Sequence, residues 1–334
     1  MSSYSASYVP RFLVTVDGEE FHEYSGYVSD VIVDTAVDGA NHFSVTLTYP
    51  YDHEHVSFED LDWDQFEPGA DVEISMGYGD SGAKLDTLFV GTIYTVQPTF
   101  PTEGSPTVKV SGYGPLHEMM QGTNSESWTE PTLKTVVQDA ADPYFSTVEI
   151  EKADMELGRI IQDNKSDYRF VRDLASKYGF EVFSTLDTLT FRPNDGTRDD
   201  PVATLFYGET LESFTAELND TDSVAEVEVR HWDLQKKEAI VGSATVDSRG
   251  SKKRVYRIPV ESESEATKIA KAKATQTTIT GSGETFGVPE IVAGEVVELD
   301  GLGPKFTKDY YVTKAIHRMG STGYRTFFEV TGSE

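Results

Sequence analysis

Along the first third of the chain, hydrophobic and polar residues alternate in short runs at residues 11–16, 28–33, 43–49, 71–78, 88–96 and 107–112. Turn-forming pairs such as Asp17-Gly18 punctuate them. A period of two places alternate side chains on opposite faces, so the stretch predicts an antiparallel β barrel or sandwich without a helix. Residues 52–68 break the pattern with acids and aromatics, among them Phe58, Leu61, Trp63 and Phe66. That composition predicts a loop packed by its own rings.

Helical periods come next. Leu133, Val136, Val137, Ala140 and Ala141 recur on one helical face, behind Thr129 and Pro131 and ahead of Asp142-Pro143. A second helix is expected after Ser166 as cap, with Phe170, Val171, Leu174, Ala175 and Tyr178 inward, Asp167 near its positive end and Gly179 as terminator. A hairpin around Leu186-Asp187 follows. Period two returns at residues 213–218, 225–232, 295–299, 309–316 and 324–330, interrupted by a helix that Ser262 and Glu265 cap and that carries Ala266, Ile269, Ala270 and Ala274. The expected fold is mainly β with an α+β spacer. A first β-barrel domain over residues 1–115 and a similar second one over 206–334 flank a small α+β domain over 116–205. A basic loop and helix, about residues 236–280, are inserted in the second barrel.

The chain has 334 residues and a mass of 37.0 kDa, room for more than one core, and its 38% hydrophobic content excludes wholesale disorder. Asp and Glu number 57 against 28 Lys and Arg, a net charge of −29, which argues against a dedicated nucleic-acid binder. Such acidity also suits a halophilic source, where salt screens the repulsion among carboxylates. The absence of cysteine removes disulfides and thiolate chemistry and fits cytosolic synthesis. No secretory leader, apolar span or membrane anchor is legible, which predicts a soluble protein or one that leaves the cell within an assembly.

No string compels catalysis. Gly77-Tyr78-Gly79-Asp80-Ser81-Gly82 matches a dinucleotide fingerprint, yet a strand and not a helix follows, so a hairpin turn is expected. His53-Glu54-His55 offers two imidazoles where zinc usually takes at least three protein ligands. His22, His42, His117, His231 and His317 lack ligand spacing and read as packed or solvated side chains. Acid pairs such as Glu23 and Asp30 resemble glycosidase carboxylates only as any pair among 57 acids would. GxSxG, HExxH and P-loop strings are absent, and the sequons at Asn164 and Asn219 read as accidental. The expectation is a non-enzyme without catalytic, cofactor-binding or metal-ligating residues. One anomaly is a basic stretch that includes Lys236, Lys237, Arg249, Arg257 and Lys273. Lys252, Lys253, Arg254, Lys268 and Lys271 form its candidate protein-interface cluster, a solvated face or a docking surface for an acidic neighbour.

Five strings, in order, resemble the late control D family, baseplate hub proteins of phage tails related to the hub portion of VgrG spikes. They are Phe89-Val90-Gly91-Thr92-Ile93, the run from Val108 through Gly112-Tyr113-Gly114-Pro115-Leu116-His117, the run from Gln162 through Ser166-Asp167 to Ala175 with Gly179-Phe180-Glu181 after it, Ala293-Gly294-Glu295-Val296-Val297, and Tyr310 through His317 to Phe328. Gly114 stands where the family commonly has Asp. The resemblance implies a homotrimer whose two barrels per copy build a pseudo-sixfold ring, matching a sixfold tail tube to a threefold spike. Implied partners are the tail tube protein, a separate spike or tip protein, other baseplate proteins and the tape measure, with DNA only as cargo in transit. The particle is a virion tail or an injection system, made in the host cytoplasm. Two other readings stand beside it: a tail-associated glycan hydrolase, and a tail-tip receptor- or carbohydrate-binding protein that exposes Trp63 or Trp128 as a sugar platform.

Overall fold

The structure is a computed structural model and describes residues 9–22, 27–79, 84–194, 200–218, 224–233, 237–246, 252–260, 262–274 and 279–332. In chain order the first part comprises β1 (Pro10–Val16), β2 (Glu19–His22), β3 (Val28–Ala36), β4 (His42–Leu47), β5 (Tyr51–Asp52), β6 (Ser57–Phe58), β7 (Asp71–Tyr78), β8 (Asp86–Thr99) and β9 (Thr107–Tyr113). Next come α1 (Leu116–Met120), β10 (Asn124–Trp128), α2 (Leu133–Ala141), β11 (Thr147–Ile150), β12 (Ile160–Lys165), α3 (Asp167–Tyr178), β13 (Phe180–Thr185) and β14 (Thr188–Pro193). The last part holds β15 (Ala203–Phe206), β16 (Leu211–Leu218), β17 (Val224–Asp233), β18 (Glu238–Thr245), β19 (Lys252–Arg257), α4 (Glu263–Lys273), β20 (Ile279–Phe286), β21 (Val296–Asp300), β22 (Lys308–Gly320) and β23 (Gly323–Gly332).

The protein is mainly β, as the alternation predicts, and its two β portions share one sheet. The order is β16-β20-β23-β22-β3-β4-β9-β8-β7-β1-β2, with β21 on β22 and β15 on β21. Antiparallel pairing of β3 with β22 brings Val31 opposite Met319 and Ala36 opposite Lys314. The α+β segment therefore separates the β portions in sequence, while in space they touch directly. The described pairing path ends at β16 on one side and β2 on the other.

Local chemistry accounts for the turns and caps. Asp17 and Gly18, both at positive φ, turn β1 into β2, and the Asp17 carboxylate accepts the Asp71 amide at 2.9 Å. Thr132 caps α2 by accepting the Thr135 amide, and Ser166 does the same for Arg169 at the start of α3. Gly179 ends α3 in the left-handed region, and Leu186, also at positive φ, turns β13 into β14. Where β8 pairs with β9, bulged between Ile93 and Thr95, a Cβ on Gly112 would collide with the Thr92 carbonyl of β8 and with the Phe43 ring. Only glycine lets the strands approach that closely.

Three apolar clusters fill the interior. One, with Phe43, Phe89 and Ile93, lies under the N-terminal strands, and one, with Leu211, Ile291 and Tyr310, under the C-terminal strands. The third joins α1–α3 to Val227, Val229 and Ile240 of β17 and β18 and to Ala266, Ile269 and Ala270 of α4. Residues 225–232, expected in the closing β domain, thus form a separate sheet ordered β18-β17-β19 that packs on the helical core. The basic segment expected as a loop contains two of its strands. Hydrophobic pattern hides one of them, since Lys252–Arg257 carries only Val255 and Tyr256 as apolar residues.

Polar contacts lock the layers together. Asn41 donates to the Ser184 carbonyl at 2.9 Å, and Arg192 reaches Glu181 at 2.8 Å and the Gly294 carbonyl at 2.7 Å. The Tyr311 hydroxyl donates to Glu181 at 3.0 Å, and burial first, then the Glu181 charge, push its ionisation upward.

Candidate interaction surface

The basic cluster divides into two groups. Lys252, Lys253 and Arg254 are exposed on β19, an outer strand of the three-stranded sheet. Lys268 and Lys271 are exposed on α4, which packs on β17 and β18. Gly242 of β18 permits that packing, because a Cβ there would collide with the α4 backbone at Ala266 and Thr267. Sheet order places β17 between β19 and β18, so the two groups do not form one contiguous row.

Lys253 is committed within the fold. Parallel pairing sets it beside Glu226, 3.2 Å away, and it also contacts Glu228, a carboxylate only 4% exposed that Arg230 engages from the same strand. A buried carboxylate needs such partners to remain charged. Positive charge on an outer strand also discourages uncontrolled strand addition, a structural role that the sequence pattern alone does not separate from docking. At the other end of α4, Lys273 donates to the Ser176 carbonyl at 2.6 Å, which fixes the helix to α3. Lys236 and Arg249 lie outside the described residues.

The other candidates fall in ordinary structural places. Gly77 is in β7, which runs antiparallel into β8, so the glycine string sits at a strand-to-strand connection whose residues 80–82 lie outside the described residues. His55 pairs with Asp52, whose carboxyl is held below its usual range chiefly by that hydrogen bond, and the His53 ring sits edge-on to Tyr51 at 5.2 Å. His117 stacks on Tyr113 at 4.3 Å, and His42 packs at 5.1 Å from the same ring. Burial lowers the proton affinity of both. Among the glycosidase-like acids, Asp30 is ion-paired with Arg318 at 2.9 Å, while Glu23 lies outside the described residues.

His317 is fully buried on β22. Its Nε2 lies 3.0 Å from the Ile291 carbonyl, which can only accept, so the proton resides on Nε2 and Nδ1 accepts from the Tyr324 hydroxyl at 2.9 Å. Burial pushes its pKa down to about 4.

The two tryptophans proposed as a sugar platform diverge. Trp128 stacks on Phe170 at 5.4 Å, and its indole N–H donates to Asp139 at 2.9 Å. Trp63 stays exposed beside Phe58, in a surface group with Tyr51 and Phe100. Phe58 and Trp63 belong to one loop in the sequence, whereas Phe100 arrives from the β8–β9 connection. No local pattern announces that meeting.

This architecture, a continuous and mainly antiparallel sheet flanked by an α+β layer, is similar in fold to solved phage tail proteins. A 43 kDa tail protein of prophage MuSo2 from Shewanella oneidensis superposes with a TM-score of 0.73 at 12% identity, covering 96% of this chain and 98% of that one. A tail protein from Neisseria meningitidis MC58 gives 0.71 at 16% identity, covering 98% and 97%. The E. coli c3393 protein, a type VI secretion component with structural similarity to the T4 tail proteins gp27 and gp5, gives 0.60 at 11% identity, covering 92% of this chain and 74% of that one. No curated protein matches the chain by sequence. A family model described as the Alg8 N-terminal domain matches residues 6–321, and the chain belongs to that family. None of the described helices is long and apolar enough to cross a membrane.

Proposed function

We propose that the chain is a non-enzymatic structural hub of a tail or injection-system baseplate, of the late control D type. It works as a homotrimer in a virion tail or injection-system particle from a halophilic host. In this reading the divisions 1–115 and 206–334, the second carrying an insertion that packs on the helical core, act as two look-alike β modules, with 116–205 as the spacer. Three copies offer six near-equivalent surfaces to a tail tube above and a threefold partner to a separate spike below. Other baseplate proteins and the tape measure are further partners, and DNA passes only as cargo.

The observation that carries this reading is the fold, shared over nearly the whole chain with two tail proteins. Polar contacts between layers, Arg192 with Glu181 and the Gly294 carbonyl and Asn41 with the Ser184 carbonyl among them, suit a part that holds its shape within an assembly. The basic cluster serves as an interface between proteins. Its test is Lys268→Glu with Lys271→Glu, because Lys253 balances a buried carboxylate and its reversal would disturb the fold itself. Assembly should weaken while the unfolding midpoint stays put; unchanged assembly removes the role. For the reading as a whole, electron microscopy of purified protein should show rings of three chains with a central channel, alone or with tube and spike proteins. Turnover of glycans or nucleotide sugars by the purified chain would replace it with an enzymatic reading.

A further inference from the structure

We propose that the aromatic patch formed by Trp63 and Phe100 is a docking surface for a cationic segment of a partner protein that carries an apolar anchor. The proposal does not depend on the assembly reading above. Trp63 and Phe100 are 43% and 58% exposed, two large rings held on one buried Phe58 and left uncovered on the surface. Phe58, nearly buried, lies 5.8 Å from both the Trp63 and Phe100 rings, and Tyr51 lies 5.2 Å from Phe58 and 5.6 Å from Phe100. The exposed rings are therefore fixed from beneath by ring-to-ring contacts.

The patch is preorganised. The Asp52 carboxylate accepts the amides of Glu54 and His55 at 2.7 and 3.0 Å, and β5 pairs with β6 across that turn. Val56 follows at φ 54°, a left-handed conformation that a β-branched residue avoids.

Charge names the occupant. Between Arg11 and Lys84 the chain has no Lys or Arg, and Asp52, Glu54, Asp60, Asp62 and Asp64 flank Phe58 and Trp63 in sequence. Electron-rich ring faces and carboxylates together attract Arg and Lys, while Phe and Trp receive an apolar side chain.

The test pans a displayed random peptide library against the full chain, with counter-selection on a Trp63→Ala/Phe100→Ala variant. Peptides retained only by the wild type should be rich in Arg or Lys together with Leu, Ile or Trp. A synthetic representative should bind the wild type about tenfold more tightly than Trp63→Ala. Asp62→Asn with Asp64→Asn leaves the rings intact and guards against a folding artefact; it should weaken the same peptide severalfold, and less so at high salt. Selected peptides without charge bias, or retained equally by the variant, overturn the proposal. So does Trp63-dependent binding of a neutral chito-oligosaccharide, which would make the patch a sugar site, or Trp63-dependent self-association in sedimentation, which would make the occupant a second copy.

Discussion

Acidification will destabilise the protein through one buried side chain. His317 has a pKa of about 4 in the folded chain against an ordinary 6.5, because burial disfavours its charged form and the Ile291 carbonyl only partly offsets that. The folded-state value is depressed, so the unfolded chain takes up the proton first. Stability is unaffected well above pH 6.5, falls as the pH drops through 6.5, and levels off below 4. The loss from this group reaches about 2 kcal/mol by about pH 5 and about 3 kcal/mol in full. Urea unfolding at high salt, which screens surface carboxylates far more than a buried imidazole, reads it as a falling midpoint. His317→Gln retains a donor for Ile291 and an acceptor for Tyr324 without titrating. The variant should lose little stability at neutral pH and most of the slope between about pH 6.5 and 5. Equal slopes in the two proteins would refute the assignment.

Three further outcomes follow from the packing. Gly112→Ala drives a methyl into the Phe43 ring and the β8 backbone and should cost roughly 1–3 kcal/mol in chemical denaturation, or more if the bulge cannot shift. Asp167→Ala removes the acceptor that Gln162 and Tyr144 share at 2.7 Å each, and should destabilise by roughly 1–3 kcal/mol. In the same variant the Tyr144 hydroxyl, pushed up to about 12 by burial first and by Asp167 second, should ionise at lower pH in an ultraviolet titration. Phe89→Ala, in the N-terminal core, should cost roughly 3–5 kcal/mol, which calorimetry would register as a lowered transition.

What the sequence made legible is what local physics decides. The stripes of α2 and α3, the Ser166 and Ser262 caps, the Gly179 terminator and the turns at Asp17-Gly18 and Leu186-Asp187 each depend on residues a few positions apart. The joining of β3 to β22 depends on residues some 280 positions apart, and nothing in either strand announces the other. Strand β19 was hidden because an outer strand buries little and can carry Lys252, Lys253 and Arg254 in succession. The basic cluster was visible as a charge run, whereas its partition between a salt-bridged strand and an open helix face required Glu226 and Glu228 to be set beside Lys253. The aromatic patch was half visible, because Phe100 joins it only through the β8–β9 hairpin.

Cryo-electron microscopy of the purified full chain at high salt, with its mass in solution measured alongside, decides whether three copies build a structural hub. A hub gives closed rings of three times the 37.0 kDa chain, with threefold symmetry and a sixfold-like face around an open channel. A monomer that stays single at every concentration, ignores tube and spike proteins, and turns over a glycan would contradict it.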